Sequence, residues 1–285
     1  MRPRQYTPED EDLLYHYCSG DTFNAICSGK KLRFSDLHSM NDYMECHWGY
    51  EVWEEAASGL LESIGKPFLD KIDLIFHSYG FQGLLLASCF SKSGDVLSQW
   101  RAYADDGAGF AIGFSAKELA ELPVSLMEVL YNQEEQVKEV TALVNALYQA
   151  EQSETEKFGS GFIQACYVIG SDMAAYKNPA FSEEQEIRLV HLLDIVPTEH
   201  AAKFVDGGGT MFGKEVEGEQ VHFRMVGGIP SPFIDLDFSN KGSHNPIRRV
   251  VLGPKNHAIK EGISLYLETI GIPNVEIARS QASYR

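Results

Sequence analysis

GLLLASCF, residues 83–90, is apolar almost throughout and only strand length. A strand buried on both faces reads as such a run, whereas a half-buried strand alternates. We therefore expect a central strand here. Residues 13–18 (LLYHYC) alternate and are rich in aromatics, and residues 31–34, 109–114 (GFAIGF) and 127–131 also have strand character. Residues 186–193 (EIRLVHLL) read as a strand or a short helix, and shorter strands are expected at 221–225, 233–238, 249–252 and 275–278.

Helical spacing fills the intervals. Asp21 is the expected N-cap and Gly29 the expected terminator of a first helix, and Asp95 the cap of another that runs to Ala104. A helical stretch over 43–79 is broken at Gly65-Lys66-Pro67, one over 134–176 is broken at 158–161, and a last helix ends near 270. Asp206-Gly207-Gly208-Gly209 reads as a flexible loop, and Met40-Asn41-Asp42 as a turn. Strands and helices are interspersed without regular alternation, which predicts an α+β fold. No repeat or low-complexity linker divides the chain, so residues 1–285 are expected to form one domain, with a helical insertion at about 134–176 lying over the sheet.

Composition narrows the function classes. The chain has 285 residues, 44% of them hydrophobic, which supplies a core. No apolar run approaches the ~20 residues that cross a bilayer, and the opening MRPRQYTPEDEDLL lacks the apolar centre of a leader, so a cytoplasmic protein without a membrane partner is expected. Five cysteines, Cys18, Cys27, Cys46, Cys89 and Cys166, are scattered without a C-x-x-C pair, and there is no H-E-x-x-H, so no metal is expected. The net charge of −17, with only small basic clusters at Lys30, Lys31, Arg33 and at Arg248-Arg249, argues against non-specific nucleic-acid binding.

Four groups of residues could carry chemistry. Glu184 and Glu186 are two apart, so on a strand they and Arg188 would share one face. Paired carboxylates suit glycosidic chemistry, in which they stabilise an oxocarbenium-like transition state; equally, they are an ion-pair ladder on a solvated face. His16 lies with Leu14 and Cys18, on the face opposite Tyr15 and Tyr17, and is either a hydrogen-bonded core residue or a ligand-binding one. Trp100 and Tyr103 form one helical stripe that is either core or an aromatic wall for a planar ring, with Arg101 near a phosphate. Ser91 ends the apolar strand, where a side chain can face a cleft.

In order, the segments LYHYCS, GKKLRFSDLHSMND-x-x-E, CFS, D-x-x-SQWRAYADDGAGFAIGF, K-x-x-x-F-x-x-EQEIRLV, VVLGP and IARS-x-x-x-YR resemble domain-of-unknown-function family 2971, a bacterial family without an established activity. The resemblance covers nearly the whole chain except about 134–165. More distantly, the layout is similar to the ADP-ribosyltransferase-like proteins, which carry a His or Arg on an early strand, a Ser or Tyr on a middle strand and a Glu on a late one. That resemblance implies mixed or antiparallel sheets with surrounding helices, and NAD as substrate. It gives His16 the adenosine-side ribose, Ser91 or Tyr103 the nicotinamide, Glu186 the ribose beside the scissile bond, and Glu184 the acceptor. Tyr17, Trp100, Arg101 and Arg188 complete the candidate NAD site. The implied partners are a small-molecule nucleotide and a protein acceptor or water, in a toxin or phage-defence setting. The competing reading is a non-catalytic interaction or ligand-binding module, in which Trp100, Arg101 and Tyr103 form a recognition surface.

Overall fold

The computed structural model describes residues 3–37, 43–77 and 83–284, with side chains from residue 47 onward in the second stretch. The turn expected at Met40-Asn41-Asp42 lies outside them. The strands are β1 (Leu13–Cys18), β2 (Lys31–Asp36), β3 (Gly83–Ser91), β4 (Phe110–Ser115), β5 (Ser125–Glu128), β6 (Glu186–Pro197), β7 (Ala202–Val205), β8 (Gly209–Met211), β9 (Lys214–Val216), β10 (His222–Val226), β11 (Ile229–Asp237), β12 (Ile247–Leu252) and β13 (Glu276–Arg279). The helices are α1 (Gly20–Gly29), α2 (Tyr43–Ile64), α3 (Lys66–His77), α4 (Leu97–Tyr103), α5 (Ala116–Leu119), α6 (Gln133–Ser153), α7 (Ser160–Met173) and α8 (Lys260–Thr269). The fold is α+β, with one mixed sheet.

Eleven strands form that sheet, in the order β10-β11-β2-β3-β1-β4-β12-β13, with β6 also on β3, and β5 and β7 on β6. Its pairs are antiparallel except β12 with β13. β3 is central, as its apolar run predicts, and six of its first eight residues are buried. One edge of β3 pairs with β6 along its whole length, from Gly83↔Asp194 to Ser91↔Glu186. The other edge is divided. Asp36 and Ser35 of β2 pair with Leu86 and Ala87, and Tyr15 of β1 pairs with Ser91. Between these, at residues 88–90, β1 and β2 diverge into a fork, and α1 joins one to the other.

Apolar side chains gather in two main clusters. The first lies on the sheet and includes Leu14, Phe34, Leu86, Phe90, Phe114, Ile187 and Leu189. The second lies among α2, α3, α6 and α7, from Trp53, Ile72, Val140, Val144, Phe162 and Cys166. The helical segment after residue 133 thus buries its apolar stripes against α2 and α3. Gln136 of α6, fully buried, connects this layer to the sheet by donating to the carbonyls of Leu130 at 2.5 Å and Lys177 at 3.0 Å. A third cluster, on the far side of β1, holds Tyr15, Tyr17, Trp100 and Val251. Gly113 of β4 leaves room for the Tyr15 ring, whose Cε1 would stand 2.8 Å from any added Cβ.

Several local expectations are corrected. Ser19, not Asp21, caps α1, accepting from the Thr22 amide, and Lys30 rather than Gly29 takes the left-handed terminating conformation, at φ 52°. Val96 precedes α4 without a side-chain cap. Asp95 instead accepts from Trp100 Nε1 at 2.7 Å and from the Gln281 amide at 2.7 Å, which ties the C-terminal segment to α4. The strand expected at 127–131 is β5, which ends at Glu128. Residues 186–193 are strand, and β6 continues to Pro197.

The expected loop at 206–209 is pinned rather than free. Asp206 is buried and accepts from the amides of Gly208 at 2.8 Å and Glu219 at 2.7 Å, so it closes the base of the β8–β9 hairpin. Its Oδ1 also lies 2.8 Å from His191 Nε2, while His191 Nδ1 lies 2.8 Å from the Pro123 carbonyl. Both ring nitrogens face acceptors, so the charged, doubly protonated ring satisfies both. Burial alone would lower the His191 pKa, but Asp206, Pro123 and the nearby Asp194 outweigh it and raise the value above 6.5. Burial would raise the Asp206 carboxyl, but His191 and the two amides lower it.

A histidine with a raised folded pKa stabilises the fold below its unfolded pKa, and that contribution is lost as pH climbs through the folded value. The Asp206 contribution is present above its own unfolded pKa and is lost only in acid. Urea unfolding is therefore expected to show this part of the stability falling as pH rises above the ordinary histidine value of about 6.5. Asp206→Asn should flatten that slope and cost about 3 kcal/mol at the acid end.

Candidate functional site

The fork opens into a cavity of about 920 Å³. β1 contributes His16 and Tyr17 to its lining, β2 contributes Lys31, Arg33 and Ser35, and β3 contributes Ala87 through Phe90. α1 covers one side through Thr22 and Ile26. α4 adds Gln99 and Tyr103, the segment before β6 adds Lys177, Phe181 and Glu184, β6 itself adds Glu186, and the β10–β11 hairpin adds residues 224–226 and Asp235.

His16 spans the fork. Its Nδ1 lies 2.9 Å from the Cys89 carbonyl, on the stretch of β3 edge that neither β1 nor β2 covers. Nδ1 therefore carries the proton, and Nε2 of the neutral ring is an acceptor. Burial lowers the His16 pKa, which keeps the ring neutral. The ring packs tilted against Phe90 at 5.4 Å.

Four buried charges form a network on the opposite side, and three of them, Lys177, Glu184 and Glu186, line the cavity. Glu186 opens β6, and alternation carries Arg188 to the same face. Arg188 Nε donates to Glu186 Oε1 at 2.8 Å and Nη2 donates to Oε2 at 3.1 Å, while Nη1 donates to the Ala174 carbonyl at 2.6 Å. Lys177 Nζ donates to Glu184 Oε2 at 2.6 Å and to Glu186 Oε2 at 3.2 Å. Burial alone would raise the Glu186 carboxyl, but Arg188 and Lys177 outweigh it and hold it at about 2. Glu186 is therefore ionised throughout the physiological range. Tyr103 reaches the same cluster, its hydroxyl 3.3 Å from Glu184 Oε1, and burial beside Glu184 raises its pKa.

Glu184 does not share a strand face with Glu186 in the way the i, i+2 spacing implied. It ends a 3₁₀ turn at Pro179–Glu184, and Gln185 adopts a left-handed conformation at φ 47° before β6 begins. The two carboxylates meet because Lys177 reaches both. The cavity thus brings together His16, Tyr17, Tyr103, Glu184 and Glu186 of the sequence candidates.

Four others lie outside its lining. Trp100 is fully buried beside Tyr17, in edge-on contact at 4.8 Å. Ser91 is 1% exposed, and its hydroxyl accepts from the Ser93 amide at 3.2 Å. Arg101 is exposed, 5.7 Å from the Tyr284 ring. Arg188 stands behind Glu186. Sequence reasoning gave no role to Lys177, Arg33, Cys89 or Ser88. Lys177 and Phe181 did stand in the quoted segment K-x-x-x-F-x-x-EQEIRLV, and Lys177 Nζ lies 5.0 Å from the Phe181 ring.

Residues 99–189 match the family described as Protein of unknown function (DUF2971). The matched segment runs from α4 to the middle of β6. It holds Gln99, Tyr103, Lys177, Phe181, Glu184 and Glu186 of the cavity wall, and it includes the helical stretch that the short motifs had left out. His16, α1 and the fork residues of β2 and β3 lie before it. No curated protein and no solved structure matches the chain. No helix among the described residues is long and apolar enough to cross a membrane.

Lys177 is 4% exposed, so Lys177→Met leaves two buried carboxylates short of a cation. Removing one partner of a buried pair costs about 3–5 kcal/mol. The variant should recover part of this in mild acid, because carboxylates crowded without a cation bind a proton more readily. Thermal unfolding at about pH 5 and about pH 8 checks this, with the larger loss expected at the higher pH.

Proposed function

We propose that the cavity binds a nucleotide of the NAD type and that the chain cleaves its nicotinamide–ribose bond, passing ADP-ribose to a protein acceptor or to water, on an ADP-ribosyltransferase-like fold. The observation that carries this reading is the convergence of His16, from the first strand, and the ionised Glu186, from a late strand, on one cavity. A cavity of about 920 Å³ falls within the size range of ligand pockets and has room for a dinucleotide. Lys31, Arg33 and Arg224 on its rim suit a diphosphate. Arg33 is held in place by two 2.8 Å bonds to Asp235 and by the Phe233 ring, 4.0 Å away.

In this reaction the C–N bond breaks and its electron pair leaves with nicotinamide, which departs neutral. Positive charge develops on the ribose. A carboxylate already ionised and fixed by Arg188 and Lys177 meets that charge without reorganising. The acceptor hydroxyl or water then forms the new bond to the same ribose carbon, and Glu184, on the same wall, would receive its proton.

The second reading is a ligand-binding module without turnover. It is favoured by the three donors from Arg188 and Lys177 that already engage the Glu186 oxygens. The two readings separate in one experiment: nicotinamide release from NAD by the wild type, Glu186→Gln and Glu184→Gln, with calorimetry of NAD binding alongside. Release that Glu186→Gln reduces by about 10² or more, with NAD still bound, is the result expected. NAD binding without release, in the presence and absence of protein acceptors, would support the module. Neither binding nor release would overturn the NAD reading and leave a module for another ligand. The unfolding temperature of Glu186→Gln guards against misreading a loss of fold, because Arg188 and Lys177 lose a partner in it.

A further inference from the structure

The cavity lining draws on both faces of the sheet. Register and alternation put Glu186, Cys89 and Ser35 on one face. Ser88 lies on the other, between Leu86 and Phe90, whose ring packs on His16. Ser88 is 2% exposed, and its hydroxyl has no hydrogen-bond partner among the described residues. His16 Nε2 is likewise without one, since the one hydrogen bond that the ring makes to the described residues is at Nδ1. The two residues stand on the same side of the fork, where α1 closes the cavity through Thr22 and Ile26.

A buried hydroxyl left unpaired forfeits its bonds to water and gains nothing in return, so native proteins rarely keep one without a use for it. Alanine at position 88 would fit the strand without that cost. The retained hydroxyl is one that a ligand satisfies. We propose that Ser88 Oγ and His16 Nε2 form a hydrogen-bonding end of the cavity that takes an uncharged polar group of the ligand, a hydroxyl or a carboxamide. Nε2 accepts from the ligand, and the Ser88 hydroxyl donates or accepts as the ligand requires. The compartment suits a neutral group because Lys177, Glu184 and Glu186 belong to the other face, and Asp21, the carboxylate that α1 adds to the lining, is exposed. The inference rests on the NAD reading only for its first probe.

The experiment compares wild type, Ser88→Ala and Ser88→Cys by apo unfolding temperature and by calorimetric affinity for NAD. Removing the hydroxyl is expected to raise or preserve the unfolding temperature and to weaken NAD binding about tenfold, with Ser88→Cys weakened as well because a thiol is a poor donor. Equal affinity in Ser88→Ala and wild type overturns the inference. Should the wild type not bind NAD, adenosine, ribose and nicotinamide are tried in turn. A probe bound by wild type and lost from Ser88→Ala keeps the inference while the NAD reading falls. No probe that distinguishes the two proteins overturns the inference as well. If Ser88→Ala unfolds more easily, Ser88→Cys, which keeps the volume, decides.

Discussion

β3 offers two hydrogen-bonding edges, and one of them must serve two strands. β6 takes the first edge in full. On the second, β2 ends its pairing at Ala87 and β1 makes only the contact at Ser91. Backbone groups buried between them still require partners. His16 meets that requirement at Cys89, and α1, which must connect the two diverging strands, covers the gap. The cavity is thus a consequence of strand pairing. The neighbours of β3 twist apart at one point of its length, as strands do where a sheet divides and a ligand crevice can form.

The charged wall follows a different logic. Two carboxylates and two cations, each no more than 6% exposed, sit together at the start of β6. Desolvating four charges is expensive, and apolar side chains of similar volume would often be no less stable there. What the network supplies is geometry. Arg188 grips Glu186 with two donors, and Lys177 holds Glu184 at a fixed distance from it. Gln136 in turn anchors the Lys177 carbonyl and accepts from Trp48 Nε1 at 3.0 Å. The helical layer therefore reaches the cavity through the backbone of Lys177, and a change in α2 or α6 would be felt at the carboxylates.

How much of this the amino-acid pattern reveals differs from residue to residue. The central position of β3 is legible, because a run apolar on both faces has no other comfortable location. The pairing of Glu186 with Arg188 is legible too, because both lie on one strand and alternation is local. Glu184 is not, since one left-handed residue, Gln185, separates it from the strand. Lys177 is hidden because its role depends on where a loop nine residues upstream of Glu186 comes to rest. Trp100 and Tyr103 share a stripe whose spacing fits core and cavity equally. The fold sends Trp100 to the core, where Asp95 takes its indole N–H, and leaves Tyr103 at the wall. The fork itself depends on pairings between residues 50 to 76 apart, for which no local signal exists.

These contrasts suggest a way of sorting the residues around the cavity by the hydrogen-bonding capacity that the fold has already used. Trp100 and Tyr17 have spent theirs on the chain: the Tyr17 hydroxyl donates to the Ser93 carbonyl at 2.9 Å and accepts from the Val96 amide at 2.9 Å. Such residues set shape. Among the described residues, Ser88 Oγ keeps unused capacity where burial makes that costly, His16 Nε2 keeps an unused acceptor on the cavity, and Tyr103 keeps its hydroxyl on the wall beside an anion. A fold selected for stability alone would close these valences with alanine, phenylalanine or a neighbouring side chain. Their place around one cavity distinguishes them from buried atoms without a partner elsewhere among the described residues, such as Ser98 Oγ and Arg4 Nε, and makes the fork the place where a ligand would use them.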